Sequence, residues 1–115
     1  MDKRAKGRAG EDAAAQYLEG KGYKIVKRNY YTRYGEIDII ASDGDWLVFT
    51  EVKKRKNVKY GTGAQAVTSK KIETIRLCAS IYLAEHVLSD QKVRFDVIEI
   101  TGISPGGINH IKAAF

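Results

Sequence analysis

GEIDIIASDGDWLVFTEVKKR, residues 35–55, reads as two β-strands joined by a tight turn. Asp43-Gly44 is a strong hairpin signal, because a type I′ turn needs positive φ at both central residues and Asp and Gly tolerate it. With those two residues as the loop, Ser42 faces Asp45, and the register runs outward to set Asp38 opposite Phe49 and Glu36 opposite Glu51. Side chains alternate along each strand. Glu36, Asp38, Ile40, Leu47, Phe49, Glu51 and Lys53 then share one face, and Ile37, Ile39, Ala41, Val48, Thr50 and Val52 the other.

The second face is almost wholly apolar, as a core-facing surface should be. The first is apolar near the turn and ends in three carboxylates and a lysine. Asp38 and Glu51 become diagonal neighbours with Cβ atoms roughly 7 Å apart, so both can lean onto one ion. Two carboxylates on short, rigid strands suit Mg²⁺ or Mn²⁺; Mg²⁺ in particular binds through one or two such groups and leaves its other positions to water and substrate phosphate. Lys53 points the same way, where its ammonium holds a water and offsets charge developing on a phosphate, or its neutral amine takes the water's proton. Half-exposed strands also carry charges on a wet face without any chemistry. An Asp inside the apolar run IDII is costly, however, unless it is solvated or liganded.

These residues resemble a known pattern. Gly35-Glu36-Ile37-Asp38 followed by Phe49-Thr50-Glu51-Val52-Lys53 is similar to the D…(D/E)-x-K signature of the PD-(D/E)xK nucleases, with Ile37 where the superfamily name has proline. Lys6-Gly7, Gly10-Glu11, Tyr60-Gly61, Arg94-Phe95-Asp96-Val97 and Ala113-Ala114-Phe115 extend the resemblance to the YraN-like bacterial family over nearly the whole chain. It implies an α/β fold with a single mixed β-sheet flanked by helices, the restriction-endonuclease or Holliday-resolvase-like core. It also implies metal-dependent hydrolysis of DNA phosphodiester bonds, on branched or duplex DNA. Glu11 matches a first-helix glutamate that joins the metal site in resolvase-like relatives. Gln65 and Lys70 match polar positions that contact phosphate or water in related nucleases. Junction-cleaving relatives act as homodimers, since two strands are cut, although no feature of this chain fixes a dimer interface. A nucleic-acid-binding module that does not cleave, or an interaction protein with an acidic patch, would carry the same residues.

The 115 residues suit one domain, 1–115, able to bury roughly two thirds of its unfolded surface. Cys78 stands alone, so no internal disulfide forms. Without an apolar run of about 20 residues or a signal peptide, a cytoplasmic protein off the membrane is expected. His86 and His110 accompany no cysteine cluster, which argues against zinc.

The net charge is +6, with the basic residues clustered near Lys6 and Arg8 and again from Lys53 through Lys54, Arg55 and Lys59. Such clusters favour a polyanion, though they also serve as a solubilising surface. Arg33 lies among Tyr30, Tyr31 and Tyr34, where aromatic rings either stack on bases or cover an edge of the core.

Helical spacing of small and apolar residues predicts a first helix over 8–20, ended by Gly20 and Gly22. An edge strand follows over 23–30. The loop over 55–63 is glycine-rich. Thr68 is a plausible N-cap for a helix reaching His86. Strands over 93–100 and 108–115 complete the order α-β-β-β-α-β-β, with Asp96 expected to pair with an arginine.

Overall fold

The computed structural model describes residues 3–55, 67–86, 88, 90–101 and 107–115, with residues 3–8 described by backbone alone. Among them the order is α1 (Lys3–Gly20), β1 (Lys24–Thr32), β2 (Gly35–Asp43), β3 (Trp46–Arg55), α2 (Ser69–Glu85), β4 (Lys92–Thr101) and β5 (Ile108–Ile111). This is the α/β class expected from the sequence. The strands form one mixed sheet in the order β1-β2-β3-β4-β5, with β3 and β4 parallel and every other pair antiparallel. A parallel pair cannot be joined by a hairpin, and α2 lies in the crossover that joins this one.

Each helix covers one face of the sheet. Ala14, Ala15 and Leu18 of α1 pack on Ile39, Ala41, Val48, Ile98 and Ile100, while Ile75, Cys78, Ala79 and Tyr82 of α2 pack on Ile37, Ile40, Leu47 and Phe49. Thr68 caps α2 as its sequence suggests, its Oγ1 accepting from Lys71 N–H at 3.1 Å. Phe49 is fully buried at the centre of the second cluster, so truncation to Ala should cost about 3–5 kcal/mol. The last strand is shorter than expected. After Ile111 the chain turns, Ala114 N–H bonds the Phe95 carbonyl, and the Phe115 ring stacks on Phe95.

The hairpin between β2 and β3 differs from its sequence reading by two residues. Asp43 pairs with Trp46, so Gly44 and Asp45 form the loop, and Gly44 alone has positive φ, at 59°. Glycine at the first loop position is the type II′ arrangement. Both loops are two residues long, so side-chain parity survives, but every cross-strand partner moves. Ile40 now faces Phe49 and Ile39 faces Thr50, where the paired register ends, so Asp38 and Glu51 are the next residues along each strand just past the last pair.

The apolar face also departs from strict alternation. Ile39 and Ala41 join the α1 cluster, whereas Ile37 joins the α2 cluster. The interruption lies at Asp38 and at Asn29 of β1, which stands between the paired residues Arg28↔Ile39 and Tyr30↔Ile37 and has φ of 52°. A left-handed residue inside a strand re-aims its neighbours, and asparagine tolerates that conformation better than most. The expectation that Glu36, Asp38, Glu51 and Lys53 extend one regular face therefore stops at this kink.

Candidate metal and phosphate site

The ladder between β2 and β3 ends at Ile39↔Thr50, although β3 continues beside β4 as far as Arg55↔Thr101. Beyond Ile39 the Asp38 side chain takes the place of a backbone acceptor: its Oδ2 accepts from Val52 N–H at 2.8 Å. The two strands part here, and the carboxylates lie where they part. Glu51 is only 6% exposed. Burial, then repulsion from Glu51, pushes the Asp38 carboxyl up to about 7 despite the Val52 bond; Glu11 and Glu36 add to the rise. Burial raises Glu51 as well, against the pull of Lys71 and Lys53.

Two ammonium groups share one oxygen of Glu51. Lys53 Nζ lies 3.7 Å from Oε1 and Lys71 Nζ 3.6 Å from the same atom. Lys53 was legible from its place two residues after Glu51. Lys71 was not: a lysine in the first turn of α2 carries no signal in sequence until the packing of α2 on β3 aims it at the carboxylate. The neighbouring Lys70, selected by resemblance, is exposed.

Glu36 contributes an unfinished group, because its Oε2 is buried and has no hydrogen-bond partner. Its charge raises both Asp38 and Glu51. Glu11 stands on α1, where Asn29 Nδ2 donates to its Oε1 at 2.5 Å. Its charge reaches Asp38, but among the described residues no group of three or more His, Cys, Asp or Glu side chains is close enough to hold a metal. Asp38 and Glu51 remain the electrostatically coupled pair, and an orphaned carboxylate oxygen beside two mutually repelling acids is a donor set that fits a hard divalent cation.

The nucleic-acid candidates separate under tertiary structure. Arg33 is exposed at the tip of the β1–β2 hairpin. Arg55 turns inward: its Nε lies 3.3 Å from the buried Glu99 carboxylate, which Asn109 also bonds, so this arginine braces β3 against β4 and β5. Lys54 is exposed and on the α1 side, its stem running close over Gly10; a Cβ added to Gly10 would stand 2.5 Å from Lys54 Cε. Lys59 and Gln65 lie outside the described residues, as do the side chains of Lys6 and Arg8.

A second aspartate has a different role. Asp96 is fully buried, bonded by Arg94 Nε at 2.9 Å, by His110 Nε2 at 2.6 Å and by Ala113 N–H at 3.0 Å. Burial alone would raise its pKa, but the bonds from His110, Arg94 and Ala113 outweigh it and the net shift is downward. Arg94 continues to Asp43 and to the Tyr23 hydroxyl, and Tyr17 OH meets His110 Nδ1 at 3.3 Å. The expected arginine partner is present, and the network ties α1, β2, β4 and β5 together.

The family model described as "Uncharacterised protein family UPF0102" matches residues 10–100, a span containing Glu11, Asp38, Glu51, Lys53 and Lys71. The chain belongs to this family. It is the YraN-like group that the sequence resembles. Among similar proteins, a UPF0102 protein of Rhodococcus opacus (strain B4) is 49% identical over 114 residues, covering 96% of each chain. One from Frankia casuarinae is 44% identical over 115 residues and 98% of each chain. Another, from Clostridioides difficile (strain 630), is 44% identical over 115 residues and the full length of both. No helix among the described residues is long and apolar enough to cross a membrane.

Proposed function

We propose that this UPF0102 chain is a metal-dependent endonuclease-like protein that hydrolyses DNA phosphodiester bonds. The observation that carries the reading is the meeting of Asp38, the buried Glu51 and the orphaned Glu36 oxygen where β2 and β3 separate, with Lys53 and Lys71 both on Glu51; burial and Glu51 push the Asp38 carboxyl up accordingly. A half-buried carboxyl held this far from its ordinary pKa by a specific charged neighbour is a functional-site candidate. Asp38 and Glu51 would hold Mg²⁺ or Mn²⁺, with Glu36 and Glu11 supplying further negative charge around them. Such an ion, when bound, polarises a phosphoryl oxygen and lowers the pKa of a water.

The remaining roles belong to the chain itself. Lys53 and Lys71, held on Glu51, would present positive charge where the negative charge of a phosphate grows, and Lys53 would orient the attacking water. The Val52 N–H bond holds one oxygen of Asp38 in place. The basic surface supplies the long-range attraction for the polyanion.

A second reading, a nucleic-acid-binding module on the same fold that does not cleave, is favoured by Glu11 being engaged by Asn29 and by the absence of a three-ligand cluster among the described residues. Titration with Mg²⁺ or Mn²⁺ in the presence of linear, flapped and four-way DNA separates the two. Divalent-dependent cleavage supports the endonuclease; salt-sensitive binding with no cleavage by either metal supports the module.

A further inference from the structure

Six tyrosines lie among the described residues, and four of them are accounted for by the fold. Tyr17 and Tyr23 bond His110 and Arg94. Tyr30 bonds Glu85 and sets its ring edge against Tyr82, which is itself buried. Tyr31 and Tyr34 are different: they are 72% and 47% exposed. An aromatic ring left in water contributes nothing to the core, and two of them within four residues make a surface feature.

Their placement is fixed. Thr32 pairs with Gly35, so Arg33 and Tyr34 form a two-residue loop at the tip of the β1–β2 hairpin. Thr32 Oγ1 accepts from Tyr34 N–H at 3.0 Å and Gly35 N–H at 3.2 Å, and lies 3.2 Å from Cys78 Sγ on α2. The tip is pinned further at Gly35, where an added Cβ would stand 2.6 Å from Thr74 Cγ2; a side chain there would push the hairpin off α2. Arg33 sits over the Tyr34 ring, 4.9 Å from its centroid, and donates to the hydroxyl at 2.6 Å. Tyr31 pairs directly with Glu36. Tyr31 therefore stands directly across from Glu36, whose Oε2 is orphaned, at the end of β2 that carries Asp38, and Tyr34 lies in the loop just beyond.

We infer that Tyr31, Tyr34 and Arg33 form a stacking platform for unpaired nucleobases, which makes the substrate of the proposed site a strand with unpaired nucleotides beside the phosphate to be attacked. The inference rests on the reading of that site. An aromatic and guanidinium surface offers π-faces to bases, and only bases freed from a duplex have faces to offer in return. Continuous duplex DNA would meet the same basic surface but would gain nothing from the rings.

Binding measured without cleavage tests the platform apart from the catalytic reading. Fluorescence anisotropy of the full chain in EDTA would compare labelled single-stranded dT and rU 12-mers with a blunt 12-base-pair duplex at one salt concentration. The wild type should prefer the single strands, and the preferred sugar identifies whether DNA or RNA is the better source. Tyr31→Ala with Tyr34→Ala should weaken single-strand binding by about tenfold or more and duplex binding by less than about twofold. Tyr31→Phe with Tyr34→Phe should keep the wild-type single-strand affinity, because stacking needs the ring and not the hydroxyl. Equal losses on single strand and duplex, unchanged single-strand binding in the alanine variant, or a loss in the phenylalanine variant matching that of alanine would each overturn the inference. Tyrosine-dependent single-strand binding by a protein that does not cleave would uphold the platform and remove the endonuclease. Cleavage that persists without any tyrosine dependence in binding would do the reverse.

Discussion

Asp38 and Asp96 are aspartates of the same sheet, the first half-buried and the second fully buried, and their surroundings move them in opposite directions. Asp96 is met by Arg94, His110 and a backbone N–H, and its pKa falls below the ordinary value. Asp38 is met by one backbone N–H and by the charges of Glu51, Glu11 and Glu36, and it rises to about 7. Burial disfavours both carboxylates; what differs is the sign of the company each keeps. The first is a completed structural network joining four elements. The second gathers like charges and leaves one carboxylate oxygen of Glu36 without a hydrogen-bond partner. The contrast also explains why an acidic residue in an apolar strand does not by itself disclose which of the two it is.

The comparison breaks most visibly through Asp96. Asp96→Ala leaves Arg94 buried beside an emptied acceptor and frees both His110 and the Ala113 N–H, so unfolding free energy from urea melts should drop by about 3–5 kcal/mol. At Asp38 the effect should fall on activity instead. Asp38→Asn keeps an acceptor for Val52 N–H but removes an anionic ligand, so divalent-dependent cleavage should fall by roughly 100-fold or more, of the order of removing one key charge-stabilising group, while DNA binding is kept or slightly tightened. Equal cleavage by wild type and a folded Asp38→Asn would take the activity away from this site.

Stability against pH sharpens the contrast. The folded Asp38 carboxyl titrates near 7 and the unfolded one near 3.8, so between those values the folded chain holds more protons. Its contribution is fully present below about pH 4 and is lost as pH rises to about 7, by roughly 1–3 kcal/mol. The lowered pKa of Asp96 works the other way, with stability lost as the pH falls below the ordinary aspartate range. Urea midpoints between pH 5 and pH 8 should decline more in wild type than in Asp38→Asn. Saturating Mg²⁺ or Mn²⁺ at pH 8 should restore the wild-type midpoint and leave the variant unmoved.

The two lysines at the start of α2 give the smallest and most local test. Lys71→Met removes an ammonium 3.6 Å from Glu51 and should slow cleavage by about tenfold, with Lys71→Arg largely rescuing it. Lys70→Met, one residue away and exposed, should change the rate by less than about twofold. Single-turnover rates at saturating DNA check both, and equal effects of the two substitutions would remove the geometric distinction between them.

Local chemistry carried a large part of this protein in its sequence. The element order, the Thr68 cap, the edge position of β1 and a two-residue hairpin between β2 and β3 follow from short-range patterns: periodicity, capping side chains and turn residues. So does the nomination of Asp38, Glu51 and Lys53, because spacing along strands is itself a statement about neighbours in space. Tertiary structure decided the rest. Which glycine-containing pair formed the loop depended on the fit of whole strands, and the two-residue shift ended the paired register at Ile39 and Thr50, just before Asp38 and Glu51. The left-handed turn at Asn29, which moved Ile37 to the other face, has no periodic signature. Lys71, and not Lys70, reached Glu51 because α2 packs at one rotation on the sheet, and Arg55 left the candidate DNA surface because Glu99 lies buried on the next strand. Each of these outcomes depends on two elements that are remote in sequence meeting at a fixed angle, and side-chain chemistry along one strand or helix does not encode that angle.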